Sequence, residues 1–329
     1  MDRKRKLAFA AAASFCVAAG VLSLCLGAAK LSPGQLWQAI CSGPTGVAGF
    51  IFWYSRLPRT CACLLAGGAL ACAGCILQSV LGNKLASPSV IGVNAGAGLA
   101  VTVCCALGGL SGWTVALSAF GGAMGAALAV VLLAQRTGAS RTTVILSGVA
   151  MNAIFNALRD AVTTFVPETA MLSSEFRVGG FSSVVSSRLI PAGVLILVAL
   201  AAVMTLSNEL DVLALGEETA KSLGMSVKKL RILFLVLAAI LAGAAVSFAG
   251  LLGFVGLLVP HAGRKLVGGE NRFLLPFSVL LGAGFVTACD LAARMLLIPY
   301  ELPVGILLSL IGGPFFLVLL MKRKGGRRD

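Results

Sequence analysis

Long apolar runs separated by short polar and basic segments fill most of this sequence. The first run covers 7–29. Further runs are long enough to cross a bilayer, which takes about 20 apolar residues in a helix; they lie at approximately 61–80, 89–110, 113–134, 142–158, 190–206, 230–249, 273–298 and 304–321. This pattern predicts an all-α polytopic membrane protein.

Basic residues at the two ends of the chain set its orientation. Residues 3–6 are all basic, and Lys and Arg also dominate 322–328. Since cytoplasmic segments of membrane proteins are rich in Lys and Arg, both termini are predicted to be cytoplasmic. Two ends on one side require an even number of crossings, so we assign the short apolar stretch 251–267 as a tenth span. Residues 1–329 then form a single transmembrane domain.

One small-residue pattern occurs twice along the chain. The spacing L-A-G-x-A-x-x-x-A-G covers residues 65–74 and again 241–250. In the predicted topology the first copy runs inward and the second outward, as in transporters built from inverted repeats. Ala- and Gly-rich helices also share such patterns for packing reasons alone, so chance similarity stays open as an alternative.

Composition agrees with a lipid environment and argues against nucleic acid as a partner. The chain is 58% hydrophobic and 12% charged, with a mean hydropathy of +0.99. Its net charge is +14. The basic residues lie at the ends of apolar runs, which is typical of anchoring at the cytoplasmic face of a membrane rather than of a nucleic-acid groove.

The sequence contains no recognisable catalytic or metal-binding constellation. Cys72 and Cys75 have a C-x-x-C spacing, but the chain has one histidine and its ten cysteines lie mostly in apolar runs. Asp160 and Asp290 are the acids nearest apolar helix positions, and no paired-acid, H-E-x-x-H or G-x-S-x-G motif occurs. A Walker A motif is also missing. We therefore expect a transport subunit that is not an enzyme and binds no metal or cofactor.

Several motifs together resemble the FecCD-type permease family, which includes the vitamin B12 importer permease. They extend over about residues 50 to 321 and read, in order, R-L-P-R at 56–59, the first copy of the small-residue repeat with Gln78, N-K-L-A-S-P at 83–88, L-G-E-E-T-A-K-S-L-G at 215–224, F-V-G-L-L-V-P-H at 254–261, and E-L-P-V-G-I at 301–306 followed by G-G-P-F-F at 312–316. Lys84 stands where the family usually has Pro, and Phe176 where a Trp is common.

The resemblance implies a fold and a set of partners. The fold is a ten-helix, vitamin B12 permease-like bundle with an inverted internal repeat. The partners are two ABC ATPase subunits that bind ATP and Mg, a periplasmic or lipid-anchored substrate-binding protein, and a second permease subunit, most simply as a homodimer in the bacterial inner membrane. Iron-siderophore chelates are the expected cargo, with haem or cobalamin as alternatives.

Three arginines fall on the predicted external side, against the positive-inside bias: Arg56, Arg59 and Arg294. The resemblance implies that they receive acidic residues of the binding protein, a task that suits the bidentate guanidinium fork. Two other interpretations stay open. Arg294 can pair with Asp290 one helical turn earlier, and Arg56 and Arg59 can extend to lipid head groups.

The internal segment 207–229 is predicted to couple the permease to its ATPases. A short helix at 217–223 is expected between Gly216 and Gly224. By resemblance, the coupling residues are Gly216, Glu217, Glu218, Thr219, Ala220, Lys221, Ser222, Leu223 and Gly224. A solvated loop that merely joins two spans is the alternative.

Two further assignments concern the predicted cytoplasmic side. Ser140, Thr142 and Thr143 resemble the family's cytoplasmic gate, although hydroxyls also cap helix ends. His261 is interpreted as a packing or capping residue, because an imidazole on that side is poorly placed to meet a cargo arriving from outside. A secondary transporter driven by an ion gradient, or an integral-membrane enzyme, remain the competing functions.

Overall fold

The computed structural model describes residues 3–27, 29, 31–136 and 140–325, the side chains of 320 and 322–325 excepted, and these ranges contain no β-strand. A π-helical stretch (Ile51–Arg56) precedes α4 and a 3-10 turn (Pro88–Ile91) precedes α5. The α-helices are α1 (Arg3–Cys25), α2 (Pro33–Ser42), α3 (Gly46–Phe50), α4 (Leu57–Val80), α5 (Val93–Ala106), α6 (Gly112–Arg136), α7 (Arg141–Phe165), α8 (Glu168–Leu172), α9 (Ser174–Val178), α10 (Ser186–Thr205), α11 (Ser207–Leu215), α12 (Glu217–Ser222), α13 (Val227–Ala249), α14 (Val255–Val267), α15 (Asn271–Leu296) and α16 (Val304–Gly325).

A helix lies at each of the ten predicted spans. In chain order these helices are α1, α4, α5, α6, α7, α10, α13, α14, α15 and α16. Within the described residues, six helical stretches are long and apolar enough to cross a membrane: α1, the continuous stretch Gly46–Val80, α6, α10, α13 and α15. The all-helical membrane fold is confirmed, while the count of ten crossings stays a prediction. Arg327 and Arg328, used to orient the chain, lie outside the described residues.

The stretch 251–267 was added as the tenth span and is the eighth in chain order. Its helix, α14, begins four residues later than predicted, because Gly250 (φ 69°) ends α13 and Phe254 (φ 64°) is left-handed. Its 13 residues rise about 20 Å, short of the ~30 Å hydrocarbon core. Leu251 N donates to Phe176 O at 2.9 Å, so the irregular backbone before α14 has a partner within the protein, as such backbone requires at membrane depth.

The two copies of the small-residue pattern lie in α4 and α13, which pack against each other. In the first copy, Gly67 approaches the Gly282 carbonyl of α15 so closely that no Cβ would fit. Its counterpart Gly243 meets Phe120 and Ala123 of α6. The predicted spans 1–5 and 6–10 form the two halves of the repeat. The fourth span of the first half is in α6, and the fourth span of the second half, the ninth in chain order, is in α15. Each copy of the pattern therefore packs against the fourth span of the other half. An inverted repeat predicts this exchange.

The helix ends define two surfaces of the bundle. The beginning of α4 meets the end of α15 through Arg59 and Asp290. The end of α4 meets the beginning of α15 through Ser79 and Asn271, whose side chains are 3.0 Å apart. The helices α4 and α15 are therefore antiparallel. We name the two surfaces the Arg59 end and the Asn271 end; the predicted topology makes the first external and the second cytoplasmic.

Candidate functional site

A buried ion pair joins α4 to α15 at the Arg59 end. Arg59 Nε lies 3.0 Å from Asp290 Oδ2, and Arg59 Nη2 lies 2.9 Å from Asp290 Oδ1. The Asp290 side chain is fully buried, and that of Arg59 is 12% exposed. Because the planar guanidinium matches both carboxylate oxygens at once, this contact fixes the two helices relative to each other.

The third nitrogen of Arg59 faces the surface. Arg59 Nη1 donates to Glu301 Oε2 at 2.7 Å, and the Glu301 side chain is 36% exposed. Glu301 lies in the connection between α15 and α16. One guanidinium therefore links a buried carboxylate beneath it to a carboxylate at the surface.

Arg294 connects α15 to α1 inside the bundle. Its Nη2 donates to Ser23 Oγ at 2.7 Å, and Ser23 Oγ lies 2.8 Å from Thr60 Oγ1 of α4. Arg294 Nε lies 3.0 Å from Asp290 Oδ2, so the two side chains form an ion pair, but this N–H makes no hydrogen bond. The i, i+4 pairing with Asp290, raised from the sequence as an alternative, is thus present. With its side chain 4% exposed, Arg294 lies inside the bundle.

Arg56 caps the end of α1. It is the last residue of the π-helical stretch, and it is 3% exposed. Its Nη1 donates to the carbonyls of Leu24 (2.8 Å) and Cys25 (2.6 Å), and its Nη2 donates to that of Ala29 (2.6 Å). The last carbonyls of a helix lack partners within the helix, and a cation there complements the helix dipole. The helix α1 ends at Cys25, before residue 29, the predicted limit of the first span.

The docking role of the three arginines stays a prediction. The structure buries Arg56 and Arg294 among partners of their own chain, whereas Arg59 is 12% exposed and pairs with Glu301, which is 36% exposed. Sequence reasoning missed the Arg59–Asp290 pair, because 231 positions separate its members. Glu301 could have been found, since it opens the E-L-P-V-G motif.

The predicted short helix is present at the Asn271 end. It is α12, Glu217–Ser222, one residue shorter than expected. Gly216 precedes it with φ 124°, and Gly224 follows with φ 76°. Both backbone conformations favour glycine, which has no Cβ to clash. The two glycines therefore separate α12 from its neighbours as the sequence indicates.

Glu217 anchors α12 to the start of α13. Its carboxylate lies 3.0 Å from Lys221 Nζ and 3.1 Å from Arg231 Nη2. Hydrogen bonds from Lys221 and then from Arg231 hold the pKa of Glu217 below its ordinary value. Because the Arg231 side chain is 6% exposed, this contact reaches from the surface helix into the bundle.

Two large apolar side chains flank α12 on the surface. Leu215 is 70% exposed and Leu223 is 63% exposed, whereas Ala220 is buried. These two side chains offer apolar area beside a charged helix for packing against another protein. Leu215 was outside the predicted coupling residues, although it begins the same motif.

A polar cluster ties the coupling segment to the two central helices. Asp211 of α11 accepts hydrogen bonds from Asn271 N (2.7 Å) and Asn271 Nδ2 (2.9 Å). Ser79 Oγ of α4 donates to Asn271 Oδ1 at 3.0 Å. The helices held here, α4 and α15, also carry Arg59 and Asp290 at the other end. Sequence reasoning missed this cluster, which belongs to no motif identified there.

The predicted gate residues lie at the start of α7. Thr143 N donates to Ser140 Oγ at 3.1 Å, and the two hydroxyls are 2.7 Å apart. This is an N-cap, the alternative interpretation of these hydroxyls. Thr142 is exposed. Arg141 Nη2 donates to Leu213 O of α11 at 2.7 Å, so α7 is joined to the coupling segment. The gate role itself stays a prediction.

Polar side chains also link α4 to α14. Gln78 contacts Arg264, and Gln78 Nε2 donates to Gly256 O at 3.0 Å. Within the part of the chain that the structure describes, no group of three or more His, Cys, Asp or Glu side chains could hold a metal ion. Cys72 and Cys75 are fully buried in α4.

Known proteins resemble this chain along nearly its whole length. A profile of the FecCD transport family matches residues 15–322. The chain belongs to the FecCD transport family. Two curated relatives of this FecCD chain are the iron-uptake system permease protein FeuB of Bacillus subtilis, 34% identical over 94% of this chain and 93% of the relative, and the hemin transport system permease protein HmuU of Yersinia pestis, 34% identical over 92% and 91%.

Another relative of this FecCD chain is the ferric enterobactin transport system permease protein FepG of Escherichia coli, 33% identical over 94% of each chain. A solved chain described as the inward-facing conformation of a metal-chelate type ABC transporter has a TM-score of 0.84 and 30% identity, covering 95% of this chain and 98% of that one. A chain from PsaBC of Streptococcus pneumoniae, with a TM-score of 0.57 and 17% identity, shares the fold alone.

Proposed function

We propose that this chain is the membrane-spanning permease subunit of an ATP-driven importer for iron-siderophore-type chelates. Relatives that match nine-tenths or more of its length are permeases for iron uptake, hemin and ferric enterobactin. One observation carries the proposal: α4 and α15 join a charged network at the Arg59 end to the cluster that holds the coupling segment at the Asn271 end. Motion at one end then reaches the other through two packed helices.

The Asn271 end is proposed to receive two separate ATPase subunits, which bind ATP and Mg. The helix α12 supplies a charged face with Glu217 and Glu218, and Leu215 and Leu223 supply exposed apolar contacts beside it. The Asp211–Asn271 hydrogen bonds transmit displacement of the coupling segment to α15. This placement makes the Asn271 end and both termini cytoplasmic, in a bacterial inner membrane.

The Arg59 end is proposed to receive the external substrate-binding protein. Arg59 contacts a carboxylate of that protein, while Arg56 and Arg294 hold the helix ends beneath it. A second copy of the chain completes the pathway as a homodimer. Haem and cobalamin remain alternative cargoes, and the name of the Yersinia relative favours the first of them.

Charge reversal in α12 tests the proposal. Glu217→Lys or Glu218→Lys is expected to abolish ATP-driven uptake in proteoliposomes while leaving association of the binding protein unchanged, because α12 and Arg59 lie at opposite ends. The bulky Gly224→Leu should act in the same way, since Gly224 has φ 76°. Normal uptake in all three variants would remove the coupling role.

A further inference from the structure

A basic cavity lies at the Asn271 end, between the connection that follows α4 and the ends of α14 and α16. Its volume is about 480 Å³. Three of its lining side chains are Lys84, His261 and Lys265, and none of the described residues that line it is acidic. Leu85 and Leu319 add an apolar wall. A cavity with one sign of charge and low-dielectric walls raises the local concentration of ions of the opposite sign.

The basic groups of this cavity are not neutralised by the protein. Neither Lys84 nor Lys265 has an ion pair or side-chain hydrogen bond within the described residues, and both are exposed. His261 Nε2 is buried and has no hydrogen-bond partner there. Because that atom is buried, a ligand in the cavity would meet the two ammonium groups and not His261 Nε2.

Lys84 lies in the turn that follows α4. The turn itself does not require lysine. Leu85 N donates to Asn83 Oδ1 at 3.0 Å, which closes the turn around Lys84 without its side chain. The structure of the turn therefore does not account for the Lys84 ammonium group.

The cavity borders the predicted gate. Gly82, which lines the cavity, approaches Arg141 so closely that a Cβ on Gly82 would lie 2.6 Å from Arg141 Nη1. Arg141 stands between Ser140 and Thr142, two of the predicted gate residues. An anion in the cavity would thus lie beside the place where cargo is expected to leave.

We propose that Lys84 and Lys265 form a binding site for the anionic oxygen groups of a metal chelate as it leaves the permease. This inference rests on the proposed import function and narrows its cargo to anionic chelates. Basic pockets between membrane helices also bind lipid phosphate. The contact between Gly82 and Arg141 favours the chelate, because Arg141 lies between two residues of the predicted gate.

The test measures binding of radiolabelled ferric citrate to the permease assembled with its ATPase subunits in neutral-lipid nanodiscs, without binding protein. Lys84→Gln and Lys265→Gln together remove both ammonium groups. We expect this double variant to bind the chelate about three- to tenfold more weakly. The control, Lys4→Gln with Lys6→Gln, loses the same charge from exposed positions at the start of α1 and should bind as wild type.

Two outcomes would overturn the site. Equal ferric citrate affinity in wild type and the double variant would refute it, and so would no binding by wild type. Two further arms identify the ligand. Inorganic phosphate should compete with the chelate in wild type. If nanodiscs containing phosphatidylglycerol abolish chelate binding, the site belongs to lipid phosphate and the chelate assignment is wrong.

Failure of this inference can be told from failure of the proposed function. ATP-driven chelate import by a wild-type complex whose cavity does not bind ferric citrate contradicts the site alone. Ferric citrate binding that is lost in the double variant, in a complex that imports no chelate with ATP, contradicts the import function and leaves the anion site standing.

Discussion

Removing the Arg59 side chain is expected to destabilise the whole bundle. Arg59→Ala deletes the three hydrogen bonds between the guanidinium and Asp290, whose carboxylate is fully buried. Loss of one member of a buried ion pair costs roughly 3–5 kcal/mol, because the other charge stays buried without compensation. Arg294 still lies 3.0 Å from Asp290, so we expect about 3 kcal/mol, at the low end of that range.

The assay is the free energy of unfolding, measured by titrating folded protein in mild micelles with a denaturing detergent. Arg159→Ala is the matched control, since Arg159 and Asp160 form a 2.8 Å ion pair in which Asp160 is 67% exposed. An exposed pair of this kind contributes about 0–1 kcal/mol. Glu301→Gln, which removes the surface partner of Arg59, should behave like the control. If Arg59→Ala costs no more than the control, the buried network does not hold the bundle together.

The other predictions concern packing, pH and coupling. Gly74→Ala should lower the free energy of unfolding by about 1–3 kcal/mol in the same titration, because the added Cβ would meet the backbone of Gly256. Gly20 has open space around it, so Gly20→Ala should not destabilise the protein. Equal effects of the two substitutions would contradict this packing. The basic partners of Glu217 lower its pKa. The stability that Glu217 contributes is therefore present above the ordinary Glu pKa of about 4.3 and is lost as pH falls through the lowered pKa. Hydrogen exchange of α12 should show that loss in wild type and not in Glu217→Gln. Leu223→Asp, at a position 63% exposed, should leave stability within about 0.5 kcal/mol but reduce ATP-driven uptake, and unchanged uptake would contradict the apolar contact.

The sequence predicted features that depend on local chemistry. Gly216 and Gly224 mark the limits of α12, because both need backbone conformations that favour glycine. The Asp290–Arg294 contact follows from helical spacing. The positions of the helices at the ten predicted spans follow from the lengths of the apolar runs.

Features that depend on long-range packing could not be predicted in this way. The sequence does not show that α1 ends where Arg56 can reach its last carbonyls, so burial of that arginine was not foreseen. The pairing of Asp211 with Asn271 joins residues 60 positions apart. The late start of α14 depends on Phe254 adopting a positive φ, which is rare for a bulky residue.

Uptake into liposomes tests the central claim most directly. The permease is reconstituted with its ATPase subunits, ATP is enclosed, and the binding protein loaded with a radiolabelled ferric chelate is added outside. The account predicts uptake that requires ATP, stops when the ATPase is catalytically inactive, and does not respond to an ion gradient. Uptake driven by a proton or sodium gradient in liposomes that contain this chain without ATPase subunits would contradict it.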